Sequence, residues 1–378
     1  MKKEYLLTPG PTPLPPQISL AMARPIIHHR TPQFQEILKE ASQGLKWVFQ
    51  TVNDVFMISS SGTGAMEAAV INLLSGGDTA LVVCGGKFGE RWAEIAKAYG
   101  INVEIINVEW GLAVSPAEIS KRLKSNPQIK AVFTTLTETS TGVDNDIAAI
   151  AAVVKETSAV LVVDAISGLG AVDLKTDAWG VDVVVAGSQK GLMLPPGLGF
   201  ITLSAKAWKL VEISKSSRYY LDLRKAKKAL DKNDTPFTSS ITLIIALNEA
   251  LKMMQQDGLE NIFKRHKVMA DATRAGLVAL GLGLFAPSAA SNGVTAAKLP
   301  SSIDGEKLVK TMRDTYGVTI AGGQDVLKGK VIRIAHMGYI TESDIIMGLS
   351  CLEKVLTQMG YKFTLGTGIK AAEEIFIR

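Results

Sequence analysis

The chain of 378 residues is 47% hydrophobic and 20% charged, with a formal net charge of +5. This composition is ordinary for a globular protein, and the length predicts two domains. So small a charge, without a dense basic tract among aromatic residues, argues against a nucleic-acid partner. Two distant cysteines, Cys84 and Cys351, cannot form a metal cluster and argue against a disulfide framework. Without a signal-peptide pattern or a membrane-length apolar run, we expect a cytoplasmic protein with no metal and no membrane contact.

The first residues are predicted to form an extended arm. The prolines between Pro9 and Pro16 are incompatible with a helix or a central strand. Arms of this kind often cross to a partner subunit or border a site. We assign residues 1–20 to this arm.

The middle of the chain alternates between short apolar runs and helical patterns. The predicted strands are Val55–Ile58, Thr79–Cys84, Val103–Val108, Ala131–Thr135, Val160–Asp164, Val181–Ala186 and Phe200–Leu203. The predicted helices are Phe34–Phe49, Ala65–Leu74, Gly89–Tyr99, Pro116–Lys124 and Asp146–Glu156. This alternation predicts an α/β domain over residues 21–256, with a mainly parallel sheet covered by helices. Ligands bind such sheets beyond the carboxyl ends of the strands.

After Leu203 the pattern changes, and a smaller C-terminal α+β domain is predicted over residues 257–378. Long helical patterns cover about 205–230 and 240–280. The later predicted elements are strands Val294–Lys298 and Val331–His336 and helices 304–316 and 342–359.

The first candidate site is the loop Ser59–Gly64, where an apolar strand runs into serine and glycine and a helix follows directly. The free N–H groups and the dipole of a helix N-terminus favour an anion. Ser61 and Thr63 add hydroxyl donors. An ordinary N-cap by serine or threonine would give the same pattern, so the loop alone leaves phosphate binding and capping open.

Asp164 and Lys190 follow two further strands at the same predicted sheet edge. A carboxylate at the end of an apolar strand needs a partner, which could be a protonated pyridine nitrogen, an arginine or a helix terminus. Lys190 lies between a strand and a loop rich in glycine and proline. Partial burial would lower its pKa and make it a nucleophile for a Schiff base. The alternative is a lysine on a surface turn.

Taken together and in order, these motifs resemble the class V aminotransferases, which are pyridoxal-phosphate enzymes with the aspartate-aminotransferase-like fold (fold type I). The blocks that carry the resemblance are Thr8–Thr12, His29–Phe34, Ser61–Gly64, Phe88–Trp92, Glu138–Gly142, Val163–Ala165 and Gly187–Lys190. They are most similar to the alanine–glyoxylate and serine–glyoxylate branch. The resemblance implies a homodimer that moves an amino group between alanine or serine and glyoxylate or pyruvate. Alanine–glyoxylate transamination is the first expectation, and serine–glyoxylate or serine–pyruvate transamination is the alternative.

The resemblance also implies residue roles toward the cofactor. Lys190 would form the Schiff base and transfer a proton from the substrate Cα, and Asp164 would pair with the ring nitrogen. The residues that would hold the phosphate are Ser61, Gly62, Thr63 and Gln189.

The ring of the cofactor would lie between Phe88 and Ile166, with Thr139 near its hydroxyl group. By the same resemblance, the segment Thr235–Thr238 would cross the dimer interface. Thr238 is the preferred residue of that segment to reach the phosphate of the partner subunit, and Thr235 is the other candidate.

Arg333 interrupts an apolar run and is the candidate anchor for the substrate carboxylate. Its planar guanidinium suits bidentate binding, and a buried arginine is costly without an anion. A structural ion pair is the alternative, and the resemblance favours the substrate. Gly10 and Pro11 of the arm would border the same pocket. No second arginine is evident for a distal carboxylate, which argues against glutamate or aspartate as the preferred donor.

Two other functions have to be weighed. A cysteine desulfurase needs a mobile nucleophilic cysteine, and the stretch Ala321–Asp325 before Arg333 contains none. A non-catalytic subunit of a redox complex, such as a hydrogenase component, would need clustered cysteines. Two distant cysteines do not meet that requirement, so the sequence favours transamination.

Overall fold

The structure is a computed structural model and describes residues 3–378. Its helices are α1 (Pro16–Met22), α2 (Pro32–Phe49), α3 (Gly62–Leu73), α4 (Lys87–Ala98), α5 (Pro116–Ser125), α6 (Ile147–Lys155), α7 (Thr176–Trp179), α8 (Ala205–Ile213), α9 (Leu223–Leu230), α10 (Ile241–Asp257), α11 (Leu259–Ala279), α12 (Gly305–Tyr316), α13 (Glu342–Gln358) and α14 (Thr367–Phe376). Its strands are β1 (Tyr5–Leu6), β2 (Val55–Ile58), β3 (Thr79–Cys84), β4 (Asn102–Asn107), β5 (Ile129–Thr135), β6 (Thr137–Glu138), β7 (Val143–Asp144), β8 (Val160–Asp164), β9 (Val183–Gly187), β10 (Gly199–Leu203), β11 (Val294–Lys298), β12 (Val318–Thr319), β13 (Ala321–Gly322) and β14 (Val331–Ala335).

The central sheet has seven strands in the order β2-β10-β9-β8-β5-β3-β4. β10 runs antiparallel to β2 and β9, and the other neighbours pair in parallel. β8 and β9 are buried along their whole length. Because helices cover both faces of the sheet, both faces need apolar side chains, which explains the valine-rich sequences of these strands. The predicted α/β fold with a mainly parallel sheet is confirmed.

All predicted strands of this sheet are present, with bounds that are the same or shifted by one or two residues. Two helical predictions were wrong. The pattern over 205–230 is interrupted between α8 and α9 because the intervening segment hydrogen-bonds to the end of α3. The Ser214 hydroxyl donates to the carbonyls of Ile71 and Leu74, both at 3.0 Å, and the Arg218 guanidinium donates to the Ile71 carbonyl at 3.1 Å. These tertiary hydrogen bonds outweigh local helix propensity.

The pattern over 240–280 is likewise divided, into α10 and α11, at Gly258, whose φ of +82° favours glycine. The sequence pattern also does not predict the helices α1, α7 and α14 or the two-residue strands. Short elements of this kind carry too few residues for a periodicity to be recognised.

The N-terminal arm joins the sheets of the C-terminal part to the loop after β9. β1 pairs in parallel with β12. Leu7 donates its N–H to the Thr319 carbonyl at 2.8 Å and accepts a hydrogen bond from the Ala335 N–H at 2.9 Å. The Thr12 N–H donates to the Gln189 carbonyl at 3.2 Å. The arm therefore lies directly against the turn that carries the predicted Schiff-base lysine.

Apolar side chains fill both faces of the central sheet. One face packs against α2, α5, α6 and α10, and the other packs against α3, α4 and α8. A separate apolar core joins α11–α14 to the sheet β11-β14-β13. The division into 1–20, 21–256 and 257–378 stays a prediction. Within residues 3–378, every helix is too short or too polar to cross a membrane.

Candidate active site

Three sequence-predicted residues lie at one edge of the central sheet. β5, β8 and β9 are parallel neighbours, so their carboxyl ends meet at the same edge. Asp164 is the last residue of β8, Lys190 follows shortly after β9, and Thr139 follows β6. This is the edge at which parallel α/β sheets bind their ligands.

Lys190 is buried, with 8% of its surface exposed, so the alternative of a surface turn lysine is wrong. Its ammonium group donates to the Pro9 carbonyl of the arm. A side chain on Gly10 would collide with the Lys190 side chain, so the arm can pass this closely only with glycine there. Burial lowers the pKa of Lys190 to about 8, reinforced by the charges of Arg333 and Arg91 and opposed by Asp164. At pH 7 a pKa near 8 leaves roughly a tenth of the amine neutral and nucleophilic, far more than for an exposed lysine.

Asp164 is also buried, and burial raises its pKa to about 7, with a further contribution from the charge of Glu138. The Ile166 N–H donates to Asp164 Oδ1 at 2.8 Å and opposes the rise, as do the charges of Lys190 and Arg91. That is the one hydrogen bond of this carboxyl group within the described chain. A cationic nitrogen placed against the other oxygen would stabilise the carboxylate.

The loop before α3 has the geometry of an anion site. Ser61 is the N-cap of α3, but its side chain accepts no hydrogen bond from the helix, so ordinary capping does not account for this serine. Gly62 leaves no room for a side chain, because a Cβ there would lie 2.6 Å from Ile166 Cδ1. The amide oxygen of Gln189 is buried without a hydrogen-bond partner within residues 3–378, but it is an acceptor and does not itself favour an anion.

Phe88 stands at the start of α4, and the cap of that helix comes from the end of β6 and the turn after it. The N–H groups of Phe88 and Gly89 donate to Glu138 Oε2 at 3.1 and 2.9 Å, and the Lys87 N–H donates to Ser140 Oγ at 3.1 Å. Burial raises the pKa of Glu138, and these hydrogen bonds oppose the rise. Sequence reasoning missed Glu138, although Gly86 at the N-cap has no side chain and so requires an external cap.

Arg333 reaches the same edge from β14. Its Nη1 donates to the Thr139 carbonyl and its Nε to the Gly322 carbonyl, both at 2.9 Å. No carboxylate of the described residues lies within 4.0 Å of it, so the alternative of a structural ion pair has no partner there. Burial lowers the pKa of Arg333 to about 10, and the more distant charge of Glu138 opposes the shift. The Thr139 hydroxyl donates to Ser167 Oγ at 2.6 Å.

The segment Thr235–Thr238 lies beside the loop Ser59–Gly64 of its own chain, which we call the anion loop. The Ser240 N–H donates to Ser59 Oγ at 3.0 Å. Thr235 is buried and Thr238 is exposed. The reach of Thr238 to a partner subunit stays a prediction.

A large cavity lies elsewhere. It measures about 1030 Å³ and is lined by residues of α10, α11 and the turn 339–342. It touches Gly191 and Met193 after the lysine turn, but none of the residues predicted to contact cofactor or substrate. The predicted cofactor-binding and substrate-binding residues therefore do not line this cavity.

Residues 4–346 match the family described as Aminotransferase class-V. The chain belongs to the class V aminotransferases. This aminotransferase is 46% identical, over 99% of both chains, to a protein of Anabaena cylindrica named as the 42 kDa subunit of a soluble hydrogenase. It is 36% identical to the L-aspartate–glyoxylate aminotransferase of Paracoccus denitrificans and to the serine–glyoxylate aminotransferase of Methylorubrum extorquens, in each case over 98% of this chain and 95% of the relative.

Solved structures agree with the family. The ureidoglycine–glyoxylate aminotransferase of Bacillus subtilis superposes with a TM-score of 0.96 at 29% identity, covering 100% of this chain and 99% of the other. The alanine–glyoxylate aminotransferase of a Nostoc species superposes with a TM-score of 0.91 at 30% identity, covering 94% of this chain and 96% of the other. The aminotransferase therefore has the predicted fold type I, and its family implies pyridoxal phosphate as the cofactor.

The observed residues fit that cofactor. A phosphate suits the α3 N-terminus, whose N–H groups are capped by no side chain. A pyridinium nitrogen suits the carboxylate of Asp164, and Lys190 supplies the amine. Sequence reasoning also missed Arg91, whose Nη1 donates to Thr63 Oγ1 at 3.3 Å.

Proposed function

We propose that this aminotransferase moves an amino group between alanine and glyoxylate. The observation that carries the proposal is Arg333, a buried guanidinium at the same sheet edge as Lys190 with no carboxylate within 4.0 Å in the described chain. A planar fork of this kind suits the α-carboxylate that all amino acids and 2-oxo acids share. The four similar enzymes described above all have glyoxylate in their names, and their amino donors differ.

The proposed catalytic residues are Lys190 and Asp164. When bound, pyridoxal phosphate supplies the carrier for the amino group and an electron-withdrawing ring. Lys190 would hold the cofactor covalently and then move a proton to and from the substrate Cα. Asp164 would keep the ring nitrogen protonated, because its own raised pKa falls once a cation faces it.

The proposed binding residues surround these two. Phe88 and Ile166 would lie on the two faces of the ring, and Thr139 would lie near the ring hydroxyl. The phosphate would be held by Ser61, Gly62, Thr63 and Gln189, with Thr238 from the neighbouring subunit of a cytoplasmic homodimer. Gly10 and Pro11 would border the substrate beside Arg333.

Serine is the second candidate donor, because the relative from Methylorubrum extorquens is named for serine. A desulfurase is disfavoured by the cysteines. Cys84 and Cys351 are buried, and burial raises the pKa of each thiol to about 11, whereas a nucleophilic cysteine needs a lowered pKa. The relative named as a hydrogenase subunit keeps a redox complex as a further alternative, which copurification of a partner from native cells would test.

Substrate kinetics test the proposal. The purified enzyme is given alanine, serine or aspartate as donor, with glyoxylate or pyruvate as acceptor, and product formation is measured for each pair. We expect alanine with glyoxylate to have the highest kcat/KM. A higher value for serine would establish the alternative, and a higher value for aspartate would show that the donor assignment is wrong.

A further inference from the structure

Arg91 is a charged residue beside the phosphate-binding loop that the roles above do not use. It lies in the second turn of α4 and is half-buried. Its Nη1 donates to Thr63 Oγ1 at 3.3 Å, and its guanidinium carbon lies 4.9 Å from the centre of the Phe88 ring. Arg91 thus contacts both a proposed phosphate ligand and the proposed stacking ring.

No carboxylate among the described residues lies within 4.0 Å of Arg91. Of the acidic residues on α3 and α4, Glu90 pairs with Lys87, Glu67 accepts a hydrogen bond from Tyr99, and Glu94 lies more than 4.0 Å from Arg91. The charge of this half-buried guanidinium is offset at longer range by Asp164 and not by a direct ion pair. A phosphate dianion at the α3 N-terminus would compensate it.

The positive potential of Arg91 extends into the site. Its charge lowers the pKa of both Lys190 and Asp164. The direction of the hydrogen bond matters as well. Because Thr63 Oγ1 accepts from Arg91, the hydroxyl hydrogen of Thr63 remains free to be donated to an acceptor.

We propose that Arg91 is a positioning residue for the cofactor phosphate, which orients the Thr63 hydroxyl and adds positive charge at the phosphate-binding loop. The proposal rests on the proposed function, because it assumes that the loop before α3 holds the phosphate. Arg91 acts through Thr63 and through its charge, and it needs no direct contact with the phosphate. Its position over the Phe88 ring holds the guanidinium in place.

The test compares two ligands that differ only in the phosphate. The holoenzyme is stripped of cofactor, and dissociation constants are measured for pyridoxal phosphate and for pyridoxal. Arg91→Gln should raise the dissociation constant for pyridoxal phosphate about tenfold or more, as expected for a lost charged contact. The constant for pyridoxal should change by less than about twofold, because no charged contact is lost. An unchanged constant for pyridoxal phosphate, or an equal loss for both ligands, would overturn the proposal.

Inorganic phosphate provides a second readout without any ring. It should compete with pyridoxal phosphate for the wild-type apoprotein and should compete more weakly for Arg91→Gln. Equal competition in both would contradict the proposal. The matched control is Arg122→Gln on α5, where the arginine pairs with Glu118, and it should leave all three constants unchanged.

Two further variants keep the test decisive if Arg91→Gln does not fold. Arg91→Lys keeps the charge but loses the planar fork, so it should weaken the binding of pyridoxal phosphate by about threefold and leave the binding of pyridoxal unchanged.

In a Thr63→Val background the effect of Arg91→Lys on the binding of pyridoxal phosphate should shrink, because the hydroxyl that Arg91 orients is missing. Full additivity would overturn the role through Thr63. Binding of pyridoxal phosphate at Lys190 in the wild type tests the proposed function separately.

Discussion

Burial brings the pKa values of Lys190 and Asp164 toward each other, to about 8 and about 7. Desolvation disfavours the charged form of each group, so it lowers the pKa of the amine and raises that of the acid. Near neutral pH the cofactor-free site can therefore hold a proton on either group. This would suit the proposed roles, in which Lys190 bonds to an aldehyde as a neutral amine and Asp164 faces a positive charge as a carboxylate.

Lys190 is predicted to be the residue that holds the cofactor. Borohydride reduction of the holoenzyme should label Lys190, and Lys190→Ala should abolish transamination. The rate at which the apoprotein takes up pyridoxal phosphate should rise with pH through about 8, because the neutral amine is the nucleophile. Peptide mapping and stopped-flow absorbance check these outcomes, and a label on another lysine would refute the assignment.

Asp164→Asn should leave pyridoxal phosphate bound and reduce kcat by two or more orders of magnitude, on the order of 3 kcal/mol in the barrier. The amide cannot keep the ring nitrogen protonated. Single-turnover kinetics and a cofactor titration would measure the two effects separately. Near-normal turnover would make Asp164 a structural residue.

Arg333→Lys should raise the Michaelis constants for alanine and glyoxylate together, by roughly tenfold or more, because a point charge replaces a planar fork. The absorbance of the bound cofactor should stay the same, since Arg333 is not proposed to touch it. Steady-state kinetics with each substrate varied in turn check this. Normal constants in a destabilised variant would show that Arg333 supports the fold instead.

At the scale of elements, the cap of α4 determines where Phe88 stands. The first three N–H groups of the helix donate hydrogen bonds to Glu138 and Ser140, which lie about 50 residues later in the chain. The Ser140 hydroxyl also donates a hydrogen bond to Glu138, so the two capping side chains fix each other's position. A side chain at Gly86 would collide with both. The start of α4 and the segment 138–140 are therefore joined by hydrogen bonds and are expected to move together.

Glu138→Gln should lower the free energy of unfolding by about 1–3 kcal/mol, because an amide N–H₂ would face backbone donors in a buried place. It should also alter the visible circular dichroism of the bound cofactor by shifting Phe88. Urea unfolding and dichroism measure the two changes. Glu118→Gln, on the exposed face of α5, is the control, and equal behaviour of the two variants would contradict the prediction.

The sequence predicts these elements unevenly. The strands β2, β3 and β8 have the predicted bounds because an apolar run between loops is a local signal. Lys190 and Asp164 were also recognisable, since each directly follows or ends such a run. Glu138 and Arg91 were missed because their partners are distant in sequence. For the same reason the break between α8 and α9, fixed by hydrogen bonds to α3, is not visible in the helical pattern.

At the scale of the whole molecule, the site is predicted to need two chains. Thr238 is exposed, and the aromatic rings of Tyr220 and Phe237 beside it stack at 5.1 Å between centroids. Tyr219 is 71% exposed next to them. An exposed aromatic patch is typical of a protein interface.

We therefore predict a homodimer in sedimentation and complementation between two inactive variants. Lys190→Ala and Thr238→Asp should each be inactive alone, the second because an added anion repels the phosphate. Mixed after unfolding and refolding together, they should regain activity, because one site of a mixed dimer has both native residues. A monomer with full activity, or the absence of recovery, would refute the prediction.

The edge position of β2 has a consequence for synthesis on the ribosome. In the central sheet β2 pairs with β10 alone, and about 140 residues separate the two strands. The ribosome adds roughly 5–20 residues per second, so β10 is synthesised on the order of ten seconds or more after β2. The loop Ser59–Gly64 leaves the end of this strand. A nascent chain that has completed β3, β4, β5 and β8 can thus have most of its sheet while its anion loop still lacks support. We therefore expect the protein to become competent to take up its cofactor only after Leu203 has emerged.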